Sequence, residues 1–498
     1  MVLINHIIEG ATTPGSSAVT APVYNPATGE HIAEVAMGGA AEVNAAVAAA
    51  QKAFESWSAT PPAKRARVMF ALRDILDRRR DEVARTISAE HGKTHDDALG
   101  EVTRAIEVVE YACGIPEKLK GDFSRDVGPG IDSCAERQAL GVVAGITPFN
   151  FPAMVPLWMI PMAVACGNTF VLKPSERDPS SANLVYDLFR EAGLPEGVLN
   201  VVHGGKDAVD AILDHKDVQA VSFVGSTPVA EYIYSRGCTA GKRVQALGGA
   251  KNHMIILPDA DIDQAADALM GAGFGSAGER CMAVSVAVPV GEETADRLVA
   301  KLAPQVRALR IGPSIDPDAE MGPVITRAAQ DRIIGLIDKG ESEGAEVVVD
   351  GRGFRLQGYE GGFWVGGTLL DRVTPEMTVY REEIFGPVLS VLRAKSYDEA
   401  VNLINAHEYG NGTAIFTRDG DAARDFANRI QVGMVGVNVP IPVPVAYHSF
   451  GGWKRSIFGA HGIYGPEAVH FYTRLKTVTS RWPTGIRAGA EFNFPSMG

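Results

Sequence analysis

A chain of 498 residues, 46% hydrophobic and 21% charged, is long enough for two or three domains with large cores and has the balance of a soluble globular enzyme. Its net charge of −13 argues against nucleic acid as a partner, because phosphate binding needs a basic field, and it disfavours docking on anionic lipid. The five cysteines, at 113, 134, 166, 238 and 281, are odd in number and lack CxxC spacing, which excludes a disulfide framework and a zinc cluster and points to a reducing, cytoplasmic setting.

In chain order, Met1-Val2-Leu3-Ile4-Asn5-His6 has no basic run and no long apolar stretch, so a secretory signal is not expected. Residues 22–37 read as a hairpin turning at Asn25-Pro26 and Thr28-Gly29. Helical periodicity follows at 41–57, 62–90 and 98–114. Between Gln138 and Leu172 there is no charged residue, a length that suits a membrane span. Pro148, Pro152, Pro156 and Pro161 fall in that run and would open several helical hydrogen bonds. The spacing therefore predicts a buried strand, an irregular loop, a short helix and a second buried strand.

Short apolar strands at 141–146, 169–172, 198–202 and 220–224 alternate with amphipathic helices at 181–192 and 207–215, the pattern of a parallel sheet covered on both faces. A second series begins near 254–257. It continues through helices at 261–272, 293–309 and 327–343 and strands at 285–290, 345–349, 388–392, 412–416 and 433–437. A domain boundary is placed at Leu247-Gly248-Gly249-Ala250. The tail 469–482 alternates apolar and polar residues after Gly465-Pro466, as does 121–136. Together they form either an arm that pairs with another subunit or an ordinary edge hairpin.

Cys281 lies in Phe274-Gly275-Ser276-Ala277-Gly278-Glu279-Arg280-Cys281-Met282. A thiolate there can attack a carbonyl and hold the product as a thioester, whereas buried cysteines elsewhere are usually inert packing. Arg280 is able to depress its pKa or to bind an anionic substrate. The GxGxxG string from Gly273 to Gly278 follows a helical stretch instead of a strand, so it is not read as a dinucleotide fingerprint. A better phosphate site is the turn after 221–224, where a strand ends at Gly225, Ser226 can cap, and Pro228 opens a helix. Lys173 and Glu176 sit at another strand end and suit ribose hydroxyls. The carboxylate would repel a 2′-phosphate and so favour NAD over NADP, unless the two are simply a solvated pair. Asn150, in the stiff loop Thr147-Pro148-Phe149-Asn150-Phe151-Pro152, is either an oxyanion donor or a turn asparagine.

In order along nearly the whole chain, the PFNFP loop, KPSE, FVGST, the Gly-Gly step before Lys251, GERCM, the run Glu382 to Val388, Asn438 and the segment Ser449 to Ser456 resemble the aldehyde dehydrogenase superfamily. The resemblance implies an α/β fold with a Rossmann-type NAD-binding domain (1–120 and 137–246), an α/β catalytic domain (247–440) and a β oligomerisation arm (121–136 and 467–498), with 441–466 returning to the NAD-binding side. It implies a homotetramer. It assigns Cys281 as nucleophile, with Asn150 and the Cys281 amide as oxyanion donors. NAD would be gripped by Thr147, Phe149, Lys173, Glu176, Arg177, Ser226 and Glu383, and no metal is expected.

Hydrolytic members of that family carry a glutamate opening E-L-G-G-K, the base for the deacylating water. Here the run is Gln245-Ala246-Leu247-Gly248-Gly249-Ala250-Lys251. Aligned on Lys251, the slot holds Leu247, 281 − 247 = 34 residues before the cysteine; aligned on the glycine pair, it holds Ala246. Neither accepts a proton. The strings GAKNH and GERCM are similar to the CoA-acylating methylmalonate-semialdehyde dehydrogenase branch. That likeness implies CoA as cosubstrate, a carboxylated aldehyde held by Arg104 and Arg280, decarboxylation to propanoyl-CoA or acetyl-CoA, and a place in catabolism such as that of valine. General-base help to water is worth roughly 10²–10⁴-fold, and a partly ionised CoA thiol does not need it. Two other readings stand beside this one: a water-using aldehyde dehydrogenase with a substitute base, and a silent binding protein, against which an intact Cys281 and Asn150 speak.

Overall fold

The computed structural model describes residues 2–482; Met1 and 483–498, the latter including the end of the arm expected over 467–498, lie outside the described residues. The early hairpin pairs Thr20–Asn25 with Glu30–Ala36, and the Asn25 side chain accepts from the Ala27 amide at 3.0 Å to set its turn. The helical stretch expected over 62–90 is two helices, Pro62–Arg78 and Arg80–His91. They part at Arg79, whose guanidinium donates to Glu82 and Glu191 at 2.7 and 2.6 Å.

The uncharged run resolves into strand Val142–Ile146, a loop, helix Met154–Ala165 and strand Thr169–Lys173. All twelve residues of that helix are buried. It sits on an eight-stranded sheet with order 457–458, 243–247, 218–224, 142–146, 169–173, 199–201, 6–8, 11–13. The central five strands are parallel and the edges antiparallel. From 142–146 the chain adds 169–173 and 199–201 on one side, then crosses from 199–201 back to 218–224 on the other, so strand order reverses at the end of Ile146, where doubly wound sheets bind ligands. A second sheet of seven strands has order 346–349, 368–371, 388–391, 284–289, 252–256, 412–416, 434–437. Only its 346–349 edge is antiparallel.

The first sheet has a hydrophobic core on each face, the larger one against helix Met154–Ala165, and the second sheet has its own. Met282 and Cys281 pack against the larger core of the first sheet, although strand Val284–Pro289, just beyond them, belongs to the second sheet. The cysteine therefore lies at the seam between that core and the core of the second sheet.

A separate three-stranded antiparallel sheet forms an arm, Phe123–Gly128, Ile131–Ala139 and Thr473–Arg481. Phe123, Cys134 and Val478 are direct cross-strand neighbours in it. The tail differs from its sequence pattern at one end: residues Pro466–Tyr472 are a helix. Proline at the first position presets the helical φ, Gly465 takes φ 76° before it, and Ala468, Val469, Phe471 and Tyr472 face the core. Strand begins only at Thr473. Among the described residues no helix is long and apolar enough to cross a membrane.

Candidate active site

Helix Ile262–Phe274 ends at a tight turn in which Ser276 and Ala277 both hold φ near +50°, at 54° and 52°. Non-glycine residues pay for that conformation, and such strain collects at functional turns. The glycines of the GxGxxG string serve packing. A Cβ on Gly275 would lie 2.6 Å from the Arg280 guanidinium, and one on Gly278 would lie 2.1 Å from the Gly386 carbonyl. Beyond the turn, half-buried Cys281 is held by its own carbonyl, which accepts from the side-chain amides of Asn252 and Asn411 at 2.9 and 3.0 Å. Asn252 also donates to the Ala283 carbonyl at 2.9 Å and accepts from the Gly412 amide at 3.0 Å. Sequence reasoning passed over both asparagines; the available signal was a polar amide at the start of each of two buried strands.

Cys281, Arg280, Asn252, Ala250, Glu383 and Phe385 line one cavity. Burial pushes the Cys281 thiol up to about 12, and the Glu383 carboxylate adds to the effect, while the Cys281 and Met282 amides and the Arg280 charge oppose it. Glu383 accepts from the Ala250 amide at 3.0 Å. Burial raises its pKa to about 7 against the pull of Lys251 and Arg332. The Lys251 ammonium donates to the Val379 and Glu382 carbonyls at 2.6 and 2.8 Å and is itself drawn down to about 7 by burial. The slot that a deacylating base would take is the end of strand Arg243–Leu247, where Ala246 and Leu247 are both buried. Glu279 is fully buried and accepts from the Ile325 amide at 3.4 Å; desolvation lifts its pKa to about 8.

A continuous path joins the cavity to the switch point of the first sheet. Thr147 donates its amide to the Lys173 carbonyl at 3.1 Å, and the Lys173 ammonium reaches Glu176 at 3.3 Å. The Arg177 guanidinium lies over the Phe149 ring at 4.9 Å, and Phe149 meets Phe385 edge-on at 5.8 Å. The Thr147 hydroxyl is buried without a partner among the described residues. Ser226 precedes helix Thr227–Thr239, yet its exposed side chain accepts from none of the helix amides. That corrects the expected serine cap and leaves the first turn of amides open to an external acceptor. Asn150 is buried, and its carbonyl accepts from the Lys93 ammonium at 2.7 Å.

The two arginines named from the sequence stand on different elements. Arg280 pairs with Asp97 in the first turn of helix His95–Cys113. Arg104, on the same helix, donates to Glu107 at 2.7 Å and to the Pro444 carbonyl at 2.9 Å. The buried Tyr464 hydroxyl donates to that same carbonyl at 2.7 Å, and it feels the charges of both Arg104 and Cys281.

The description of the aldehyde dehydrogenase family matches residues 13–478. The chain is 59% identical to the malonate-semialdehyde dehydrogenase of Pseudomonas aeruginosa over 498 residues, covering 100% of both. A Sinorhizobium meliloti protein assigned as a methylmalonate-semialdehyde dehydrogenase and solved in complex with NAD is 59% identical, with a TM-score of 0.97 over 98% of this chain and 99% of that one. The methylmalonate-semialdehyde dehydrogenase of Oceanimonas doudoroffii is 60% identical, with a TM-score of 0.96 over 98% of this chain and 100% of that one.

Proposed function

The chain belongs to the aldehyde dehydrogenase family, and from that premise we propose that it oxidises malonate or methylmalonate semialdehyde with NAD and CoA, losing CO2 and releasing acetyl-CoA or propanoyl-CoA. The observation that carries the reading is the apolar end of strand Arg243–Leu247. Ala246 and Leu247 stand at the position where hydrolytic members of the family keep their base, so a thiol, which brings its own nucleophilicity, clears a thioester on Cys281 faster than water.

The residues present fit NAD. The unpartnered Thr147 hydroxyl, the uncapped amides after Ser226 and the Lys173–Glu176 pair lie along one sheet edge. Lys173 and Glu176 would hold ribose hydroxyls, the open amides a phosphate, and Thr147, Phe149, Arg177 and Glu383 the end nearest the thiol. Bound there, NAD supplies the acceptor for the hydride lost by the substrate carbon. The chain does the rest. Cys281 as thiolate adds to the aldehyde carbon, and the Asn150 amide and the Cys281 N–H hold the oxygen that becomes negative. Once the acyl group is a thioester, its β-carboxylate leaves as CO2 while the thioester carbonyl takes up the electron pair, and the carbon then gains a proton. The CoA thiolate attacks the same carbonyl and Cys281 departs as thiolate.

Arg280 and Arg104 recognise the substrate carboxylate, since guanidinium forks match that geometry. Asp97 and Glu107 keep them oriented in the free enzyme. Arg104→Leu and Arg280→Leu are expected to raise KM for malonate semialdehyde by about tenfold or more, the cost of a lost charge-assisted bond, while leaving KM for propanal nearly unchanged. Equal effects on the two aldehydes would remove the carboxylate assignment.

One observation favours a water-using variant. Glu383 shares the cavity with Cys281 and has a pKa near the middle of the physiological range, at about 7. Its bond to the Ala250 amide and its place at the inner end of the NAD path argue for a binding role instead. The arm, with Phe123 and Val478 exposed on one cross-strand row, supports a homotetramer, and the free cysteines suit the cytoplasm.

A further inference from the structure

Lys93 and Glu101 form an ion pair at 2.9 Å with side chains 1% and 0% exposed, Glu101 on the same helix, His95–Cys113, as Arg104. Two charges sealed from water are costly unless every lone pair and proton is used. Here each is spent on one short segment. The Lys93 ammonium donates to the Asn150 carbonyl at 2.7 Å and lies 4.4 Å from the centre of the Phe151 ring. The other Glu101 oxygen accepts from the amides of Ala153 and Met154, each at 3.0 Å. Those amides open helix Met154–Ala165, which has no side-chain cap of its own, and a carboxylate is the favoured partner of a helix start. Pro148 and Pro152 lack an N–H, so the loop has few donors with which to fasten itself.

We propose that Lys93 and Glu101 are positioning residues that act through the 150–154 segment, fixing the peptide of Asn150 so that its side-chain amide meets the oxyanion formed at Cys281. The pair touches neither substrate nor thiol. It is one clamp with two jaws, one on the residue that carries the donor and the other on the helix start that follows. The inference rests on Asn150 being that donor, and the test separates the two claims.

The measurement is the rate constant of the NADH burst from malonate semialdehyde with NAD and no CoA. Lys93→Met combined with Glu101→Gln leaves no unpaired buried charge, and the glutamine oxygen still accepts from Ala153 and Met154, so the principal loss is the Lys93 donor. Asn150→Ala should slow the burst by about 10²–10³-fold, the usual cost of an oxyanion donor. The Lys93→Met/Glu101→Gln variant should slow it at least tenfold with KM for NAD unchanged, and adding Asn150→Ala to it should give a rate within about threefold of Asn150→Ala alone, because residues acting as one unit are not additive. Multiplied effects in the triple variant would place the pair's influence elsewhere and overturn the proposal, as would a paired variant as fast as the parent. An Asn150→Ala enzyme with an undiminished burst would remove the oxyanion assignment itself, and the clamp's purpose with it. If the paired variant does not fold, Lys93→Arg keeps the charge while relocating its donors, and the same cycle is read with the same outcomes.

Discussion

Cys281, the proposed nucleophile, is held by its surroundings as a thiol. Burial is the larger cause and the Glu383 carboxylate the second. Glu383 itself titrates at about 7, so its effect on the sulfur grows as pH rises through neutrality and vanishes below it, when the carboxyl is neutral. In the cofactor-free enzyme, alkylation of Cys281 by iodoacetamide should therefore climb with pH, since only the thiolate reacts. Glu383→Gln should react several-fold faster than the parent at pH 8.5, roughly the size of one nearby like charge, with the two rates converging by pH 6. Parallel profiles across that range would show that Glu383 does not reach the sulfur. The residue-level features differ in how far they could be read beforehand. The departure at Ala246 and Leu247 is plain in the string, because a missing carboxylate needs no structure to be noticed. Lys93 and Glu101 were not legible, since a lysine eight residues before a glutamate looks like two solvated side chains until the fold buries both.

At the scale of elements, periodicity carried most of the chain. The hairpin at 20–36 and the strand, loop, helix and strand over 142–173 follow from alternation, proline placement and absence of charge. Strand Arg243–Leu247 was missed because its polar residues look wrong for a central position. Gln245 is satisfied from afar, by the Ser222 hydroxyl at 2.7 Å and the carbonyls of His461 and Gly462 at 3.0 and 2.6 Å. Arg243 is satisfied by the carbonyls of His470, Phe471 and Thr473. Strand Thr368–Asp371 was missed as well. The helix Pro466–Tyr472 shows the reverse error: a short apolar run fits either period, and the packing of its apolar face decides.

For the whole molecule, the larger core of the first sheet and the core of the second meet at Cys281 and the arm stands away from both, its outer strand Thr473–Arg481 exposed over most of its length. The row Phe123, Cys134 and Val478 gives that arm an apolar stripe suited to another subunit. If the arm builds the proposed tetramer, Phe123→Asp with Val478→Asp should shift the mass measured by light scattering toward smaller species. A tetramer of unchanged mass, or a parent enzyme that is monomeric, would contradict the arm's role.

The fate of the acyl group on Cys281 decides between a thiol-using and a water-using enzyme. Mixing enzyme, NAD and malonate semialdehyde for one turnover, then following the protein by intact mass spectrometry, reports the lifetime of the thioester directly. Without CoA the acetyl adduct on Cys281 should persist for many times the duration of the NADH burst; with CoA it should vanish on the timescale of turnover, with acetyl-CoA appearing in equal amount. An adduct that water clears as quickly as CoA does would mean that some group beside Cys281, Glu383 first among them, serves as the base.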